Sequence, residues 1–165
     1  MLKIYILIAS ALLFIGCSVE KKPKVHSTMF QTVNVQNAIL VQSSKNKYSC
    51  KRCGMNLVKF YKTSHKAIYK GKALQYCSIH CLQEHLSHGI TLKNPQVVDV
   101  DSLKFINVKE AHYVVGSKKR GTMTRVSKYA FFDRNMAKKF QAKYGGKIMD
   151  FSAALEVAKK DFKNH

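Results

Sequence analysis

Apolar residues in the middle of the chain come in short blocks, and the period of those blocks switches from two to three or four in a repeated order. Residues 65–69 and 73–76 flank Lys70-Gly71-Lys72, a hairpin signal. Residues 78–88 set Ile79, Leu82 and Leu86 on one helical stripe with Ser78 as candidate N-cap, and residues 97–100 form a further strand. The order then returns. His112–Val115 and residues 129–132 read as strands, Asp133 caps a helix running to Tyr144, Gly145-Gly146 ends it, and Lys147–Met149 is a strand. An amphipathic helix over residues 151–162 closes the chain. Two strand-strand-helix-strand modules predict an α+β fold, with small antiparallel sheets carrying helices on one face. Upstream, residues 29–42 fit neither period, and a turn of helix followed by a strand is expected there; residues 43–47 are a hydrophilic loop.

The first seventeen residues behave differently. Lys3 gives a positive start, Ile4 to Ile15 is apolar apart from Ser10, and Gly16 precedes Cys17. Twelve apolar residues are too few for a membrane-spanning helix, which needs about twenty, so the stretch reads as the core of an export signal. Leu13-Phe14-Ile15-Gly16-Cys17 is similar to a bacterial lipoprotein signal, which would be cleaved before Cys17 and leave that thiol lipidated. Ser18 rather than an aspartate after the cysteine favours the outer membrane. The expected division is a leader at 1–16, an anchor and linker at 17–47, a first module at 48–101 and a second at 102–165.

Hydrophobic residues make up 46% of the 165, enough for a core that needs no cysteine staples. Twenty-nine basic against nine acidic residues give a formal charge of +20. Export would take the chain away from nucleic acid, and the lysines are scattered rather than interleaved with stacking aromatics, so no nucleic-acid partner is expected. An acidic protein surface or anionic lipid suits this charge better. So few carboxylates, with no Ser/His/Asp order and no phosphate-cradling loop, argue against catalysis.

The chemistry concentrates on sulfur. With Cys17 assigned to the anchor, four cysteines remain in two pairs, Cys50/Cys53 and Cys77/Cys81. Cys50-Lys51-Arg52-Cys53-Gly54-Met55 gathers two thiols and a thioether, soft ligands that select monovalent copper. Gly54 lets the backbone bend so that Cys53 and Met55 turn inward together, and the flanking cations favour thiolate. Two further readings stay open. The four thiols could close a structural zinc site, Cys77 and Cys81 lying one helical turn apart with His80 as a possible extra ligand. In an oxidising compartment they could instead form disulfides or a redox pair. Residues 116–124 form a long cationic loop with two glycines and Met123 at its tip, where function tends to sit.

Cys53-Gly54-Met55, the hairpin ending in Tyr76-Cys77-Ser78, and Tyr113-Val114-Val115-Gly116-Ser117 followed by Gly121-Thr122-Met123 together resemble the NosL family, over roughly residues 48–151. Those proteins are accessory copper lipoproteins for maturation of nitrous oxide reductase. The resemblance implies a periplasmic, lipid-anchored carrier of one cuprous ion, Cu(I), that hands its metal to the reductase maturation machinery. It also implies Cys53, Met55 and Met123 as ligands. Cys50, Cys77 and Cys81 are additions to the simpler family pattern, which keeps zinc in view.

Overall fold

The computed structural model describes residues 29–163. The leader, Cys17 and the lysine-rich tether lie outside those residues. Seven strands and three helices follow in order: β1 His65–Tyr69, β2 Lys72–Tyr76, α1 Ile79–Ser87, β3 Lys93–Val98, β4 Phe105–Asn107, β5 His112–Val115, β6 Lys128–Phe131, α2 Arg134–Tyr144, β7 Lys147–Met149 and α3 Phe151–Lys163. They make a four-stranded sheet in the order β2-β1-β3-β4 and a three-stranded sheet in the order β6-β5-β7, every pairing of neighbours antiparallel. The fold is α+β as expected. β2-β1-β3 and β6-β5-β7 share one topology: a hairpin, a helix, and a return strand beside the hairpin's first strand.

The first hairpin pairs Tyr69 with Lys72, leaving only Lys70 and Gly71 to turn. Both have positive φ (47° and 75°), the primed turn whose twist matches that of the strands. Return strand β3 starts four residues earlier than its apolar run implies. Asn94 at φ 48° and Pro95 sit where the register against β1 shifts, so the proline falls at an irregularity that tolerates a missing N–H. β4 was not legible, and its three residues carry the first sheet past residue 101 to Asn107.

The second sheet is covered on both sides. Val114, Tyr129 and Phe131 pack with Ala137 and Phe140 of α2. Tyr113, Val115 and Ala130, pointing the other way, pack with Ala154 and Ala158 of α3 and with Ile79 and Val97 of the first module. This alternation explains strands without a polar face. The two sheets meet at Asp99, where Val100 donates to the Ala130 carbonyl (2.9 Å) and the Asp99 carboxylate accepts from the Phe132 amide. His65 makes a second joint. Its ring is fully buried, with Nδ1–H donating to the Thr63 carbonyl (3.0 Å) and Nε2 accepting from the Tyr113 hydroxyl (3.1 Å).

Two expectations need correction. Among the described residues, 29–42 holds a single 3-10 turn, Val35–Asn37, and no strand. Side chains take the backbone groups a neighbouring strand would have taken: Ile39 N–H donates to the Tyr61 hydroxyl and Val41 N–H to Gln75 Oε1. Ser78 does occupy the N-cap of α1, yet its hydroxyl makes no capping bond, whereas Asp133 caps α2 by accepting from the Asn135 amide.

Burial holds the His65 imidazole down at about 3. An unfolded histidine binds its proton near 6.5, so between those values the unfolded state carries the extra proton. Stability should fall as pH drops from 6.5, with a slope approaching about 1.4 kcal/mol per pH unit from this residue. Urea unfolding from pH 7 to pH 4.5 should show that slope in wild type and a flatter one in His65→Gln.

Candidate metal centre

The site starts from a tight turn. Ser49 and Asn56 pair as an isolated antiparallel bridge, and inside it Cys50 N–H donates to the Met55 carbonyl (2.8 Å) while Gly54 N–H donates to the Cys50 carbonyl (3.0 Å). Gly54 sits at φ 75°, a conformation that costs a side-chain-bearing residue energy. The turn docks on β2 through Lys51 N–H to the Gln75 carbonyl (2.9 Å). Immediately after β2, Cys77 leads into α1 and Cys81 follows one turn later.

The four sulfurs converge, all within 4.8 Å of one another. Cys53 Sγ lies 3.5 Å from Cys77 Sγ and 3.5 Å from Cys81 Sγ, and the Cys77–Cys81 separation is 3.7 Å. Cys50 Sγ accepts the Cys77 amide at 3.3 Å. Such separations far exceed the roughly 2.05 Å of a disulfide bond. They match the edge of a tetrahedron with metal–sulfur bonds of about 2.3 Å, which is about 3.8 Å. Cys50, Cys77 and Cys81 are buried, while Cys53 is exposed.

Four thiolates so close together repel one another unless a cation joins them. The Cys50 thiol is held far below its ordinary range by hydrogen bonds from Cys77 and Cys81, helped by backbone amides. Cys77 and Cys81 are correspondingly pushed up, mainly by bonding to Cys50 and then by burial. Within the metal-free cluster, proton affinity is therefore lowered at Cys50 and raised at Cys77 and Cys81. Soft, closely spaced, partly protonated sulfur of this kind is a metal-binding set.

Of the residues singled out in the sequence, Cys50, Cys53, Cys77 and Cys81 come together. Met55 is half-buried and packs against the apolar cluster that contains Cys50, Cys77, Cys81, Leu57 and Leu74. His80 directs Nε2 towards Asp161 Oδ2 (3.2 Å) and Lys128 Nζ (3.2 Å). Met123 is 49% exposed at φ 55°. Its loop is pinned on either side: Gln31 Nε2 donates to the Gly121 carbonyl, the Tyr129 hydroxyl to the Arg120 carbonyl, and Ser117 pairs with Ser127. At Gly121 a Cβ would come within 2.5 Å of Thr124 Cγ2 and 2.9 Å of Ser127 Cα, so the loop folds back on itself there. Thr122 bonds to Thr63 (2.7 Å), and Thr63 Oγ1 also lies 2.8 Å from the Cys77 carbonyl. Thr63, Lys128 and Asp161 went unnoticed in the sequence, and Thr122 enters it only as part of Gly121-Thr122-Met123; Lys128 lies one residue ahead of the expected strand and inside the observed one.

A family model, NosL, matches residues 41–157, a span that holds the cysteine turn, α1, both sheets and the Met123 loop. The chain belongs to the NosL family. No curated protein matches it. Among solved structures, the NosL chain is similar to one described as the crystal structure of the copper chaperone NosL from Shewanella denitrificans, at 24% identity and a TM-score of 0.54. The match covers 67% of this chain and 92% of that one, so the two share a fold.

With the Cys77 and Cys81 thiols pushed up and that of Cys50 pushed down, metal uptake by this NosL chain is expected to displace the protons of Cys77 and Cys81. Calorimetric titration at pH 7 in buffers of different ionisation enthalpy should report two or more protons released per metal, and apparent affinity should rise with pH. Release of one proton or none would contradict the charge assignment.

Proposed function

We propose that this NosL-family chain is a cuprous-ion carrier, loading its metal at Cys50, Cys53, Cys77 and Cys81. One observation carries the reading: an all-sulfur set, three members buried, opens to solvent through a single cysteine. Soft sulfur selects Cu(I), and a site with three buried members and one exposed edge retains an ion yet can release it. Cys53 serves as that edge. Met123, exposed on a braced loop, serves as the sulfur that receives the ion on its way out, and Met55 supplies a further thioether beside the cluster. The family neighbour's description as a copper chaperone supports the metal chosen.

The leader and Cys17 support a lipoprotein on the periplasmic side of the envelope, anchored in the outer membrane. Its metal would go to the nitrous oxide reductase maturation machinery. A cleft of about 760 Å³ beside Cys50, with Lys51, Arg52 and Lys72 in its wall, offers an acidic acceptor a place to approach.

A second reading, a structural zinc site, draws on the near-tetrahedral sulfur separations. Competition against a Cu(I) chelator in anaerobic solution separates the two. The carrier should hold one cuprous ion, displace zinc when loaded with it first, and lose about a hundredfold in copper affinity as Cys53→Ser. Met123→Ala should leave affinity nearly unchanged and slow handover. Zinc that copper cannot displace, together with an unaltered Cys53→Ser, would favour the structural role.

A further inference from the structure

Lys128 is the one lysine or arginine that is buried among the described residues of a strongly basic chain. Burying an ammonium is costly unless every proton finds an acceptor, and here they do. Nζ lies 2.8 Å from Asp161 Oδ2, 2.8 Å from the Val126 carbonyl, 3.1 Å from Thr124 Oγ1 and 3.2 Å from His80 Nε2. Thr124 Oγ1 donates in turn to Asp161 Oδ2 at 2.7 Å. This cluster joins three elements: β6 through Lys128, α3 through Asp161, and α1 through His80, which sits between Cys77 and Cys81.

Met123 lies between the two threonines that reach this region. Thr124 enters the Lys128–Asp161 cluster, and Thr122 bonds to Thr63, which touches the Cys77 carbonyl. The neighbours of the exposed methionine are thus tied, within two hydrogen bonds each, to the segment that carries two of the four thiols: Thr122 to Cys77, just ahead of α1, and Thr124 to His80, one residue before Cys81 in α1. Met123 itself is held at φ 55°, a strained conformation for a residue with a side chain, and such strain persists only where the surroundings enforce it. A surface loop with no task needs neither a buried ion pair nor a strained tip.

We propose that Thr124 and Lys128 are positioning residues, clamping the Met123 segment against the first turn of α1, beside Cys81, so that its thioether stands ready to take the ion as it leaves. This rests on the copper-carrier reading, while the clamp itself is a property of the metal-free protein. Asp161 completes it by holding Lys128 and Thr124 at once. A clamp that only glued α3 to β6 would leave metal exchange untouched.

Thr124→Val removes the hydroxyl at constant shape and Thr124→Ser returns it; Lys128→Met is a harsher companion that need not fold. Hydrogen exchange over residues 117–127 in the metal-free full chain reads the clamp, and stopped-flow transfer of Cu(I) to a chelator reads its purpose. Thr124→Val should raise exchange around Met123 by about tenfold or more and slow transfer as much as Met123→Ala does. The double variant should be no slower than either single one, since both remove the same step. Thr124→Ser should behave as wild type, and four-thiolate copper affinity should stay unchanged throughout. Unaltered exchange in Thr124→Val overturns the clamp, and so does raised exchange with an unaltered transfer rate, or effects that multiply in the double variant. If wild type binds no cuprous ion the carrier reading falls, and exchange in the metal-free variants still decides the clamp.

Discussion

Cys77 is the point on which the structure turns. Its amide donates to Cys50 Sγ, its carbonyl lies within hydrogen-bonding reach of the Thr63 hydroxyl, and its own sulfur stands 3.5 Å and 3.7 Å from those of Cys53 and Cys81. One fully buried residue therefore fixes the cysteine turn against β2, starts α1 and connects through Thr63 to the Met123 loop. Because these contacts share a backbone unit, the sulfur separations are set by the first module's hairpin and helix together. The hairpin must close at Lys70-Gly71 and α1 must begin where it does, or the four thiols do not meet.

The duplicated strand-strand-helix-strand topology divides labour. In the first module thiols flank the N-cap of the helix after the hairpin, at Cys77 and Cys81; in the second the matching positions around the cap Asp133 are Phe132 and Met136, and the hairpin's connecting loop has grown into residues 116–127. That enlarged loop reaches back to the first module's helix. The two modules are held in register by Asp99, by the His65–Tyr113 contact and by α3 packing against both. Charge follows a similar logic. Basic side chains are overwhelmingly outward, and the one drawn inward is satisfied on all sides by groups from three elements.

Much of this was legible in the order of residues, and the gaps have physical causes. Hairpins at 65–76 and 112–131, the helix capped by Asp133 and the closing helix all announce themselves through period and punctuation. Phe105-Ile106-Asn107 is too short to show alternation, and β3 hides its first half behind Asn94-Pro95. The N-terminal segment looked strand-like because its apolar residues do dock, but buried Gln75 and Tyr61 accept its amides in place of a neighbouring strand. At the site, the two cysteine pairs were visible as pairs. Their meeting depends on a turn lying alongside β2, a tertiary fact that a spacing of 24 residues between Cys53 and Cys77 permits without requiring. Thr63 and Asp161 reach the site through partners distant in sequence, so no local pattern marks that role.

The proposed function rests on sulfur holding a monovalent ion in a cage with one exposed edge, Cys53. X-ray absorption at the copper and zinc edges, recorded on protein isolated without added metal from the envelope of its own cells, tests this most directly. The account predicts copper in the cuprous state with a first shell of sulfur alone and little zinc. A full complement of zinc, or cysteine sulfur oxidised to disulfide with no bound copper, would contradict it.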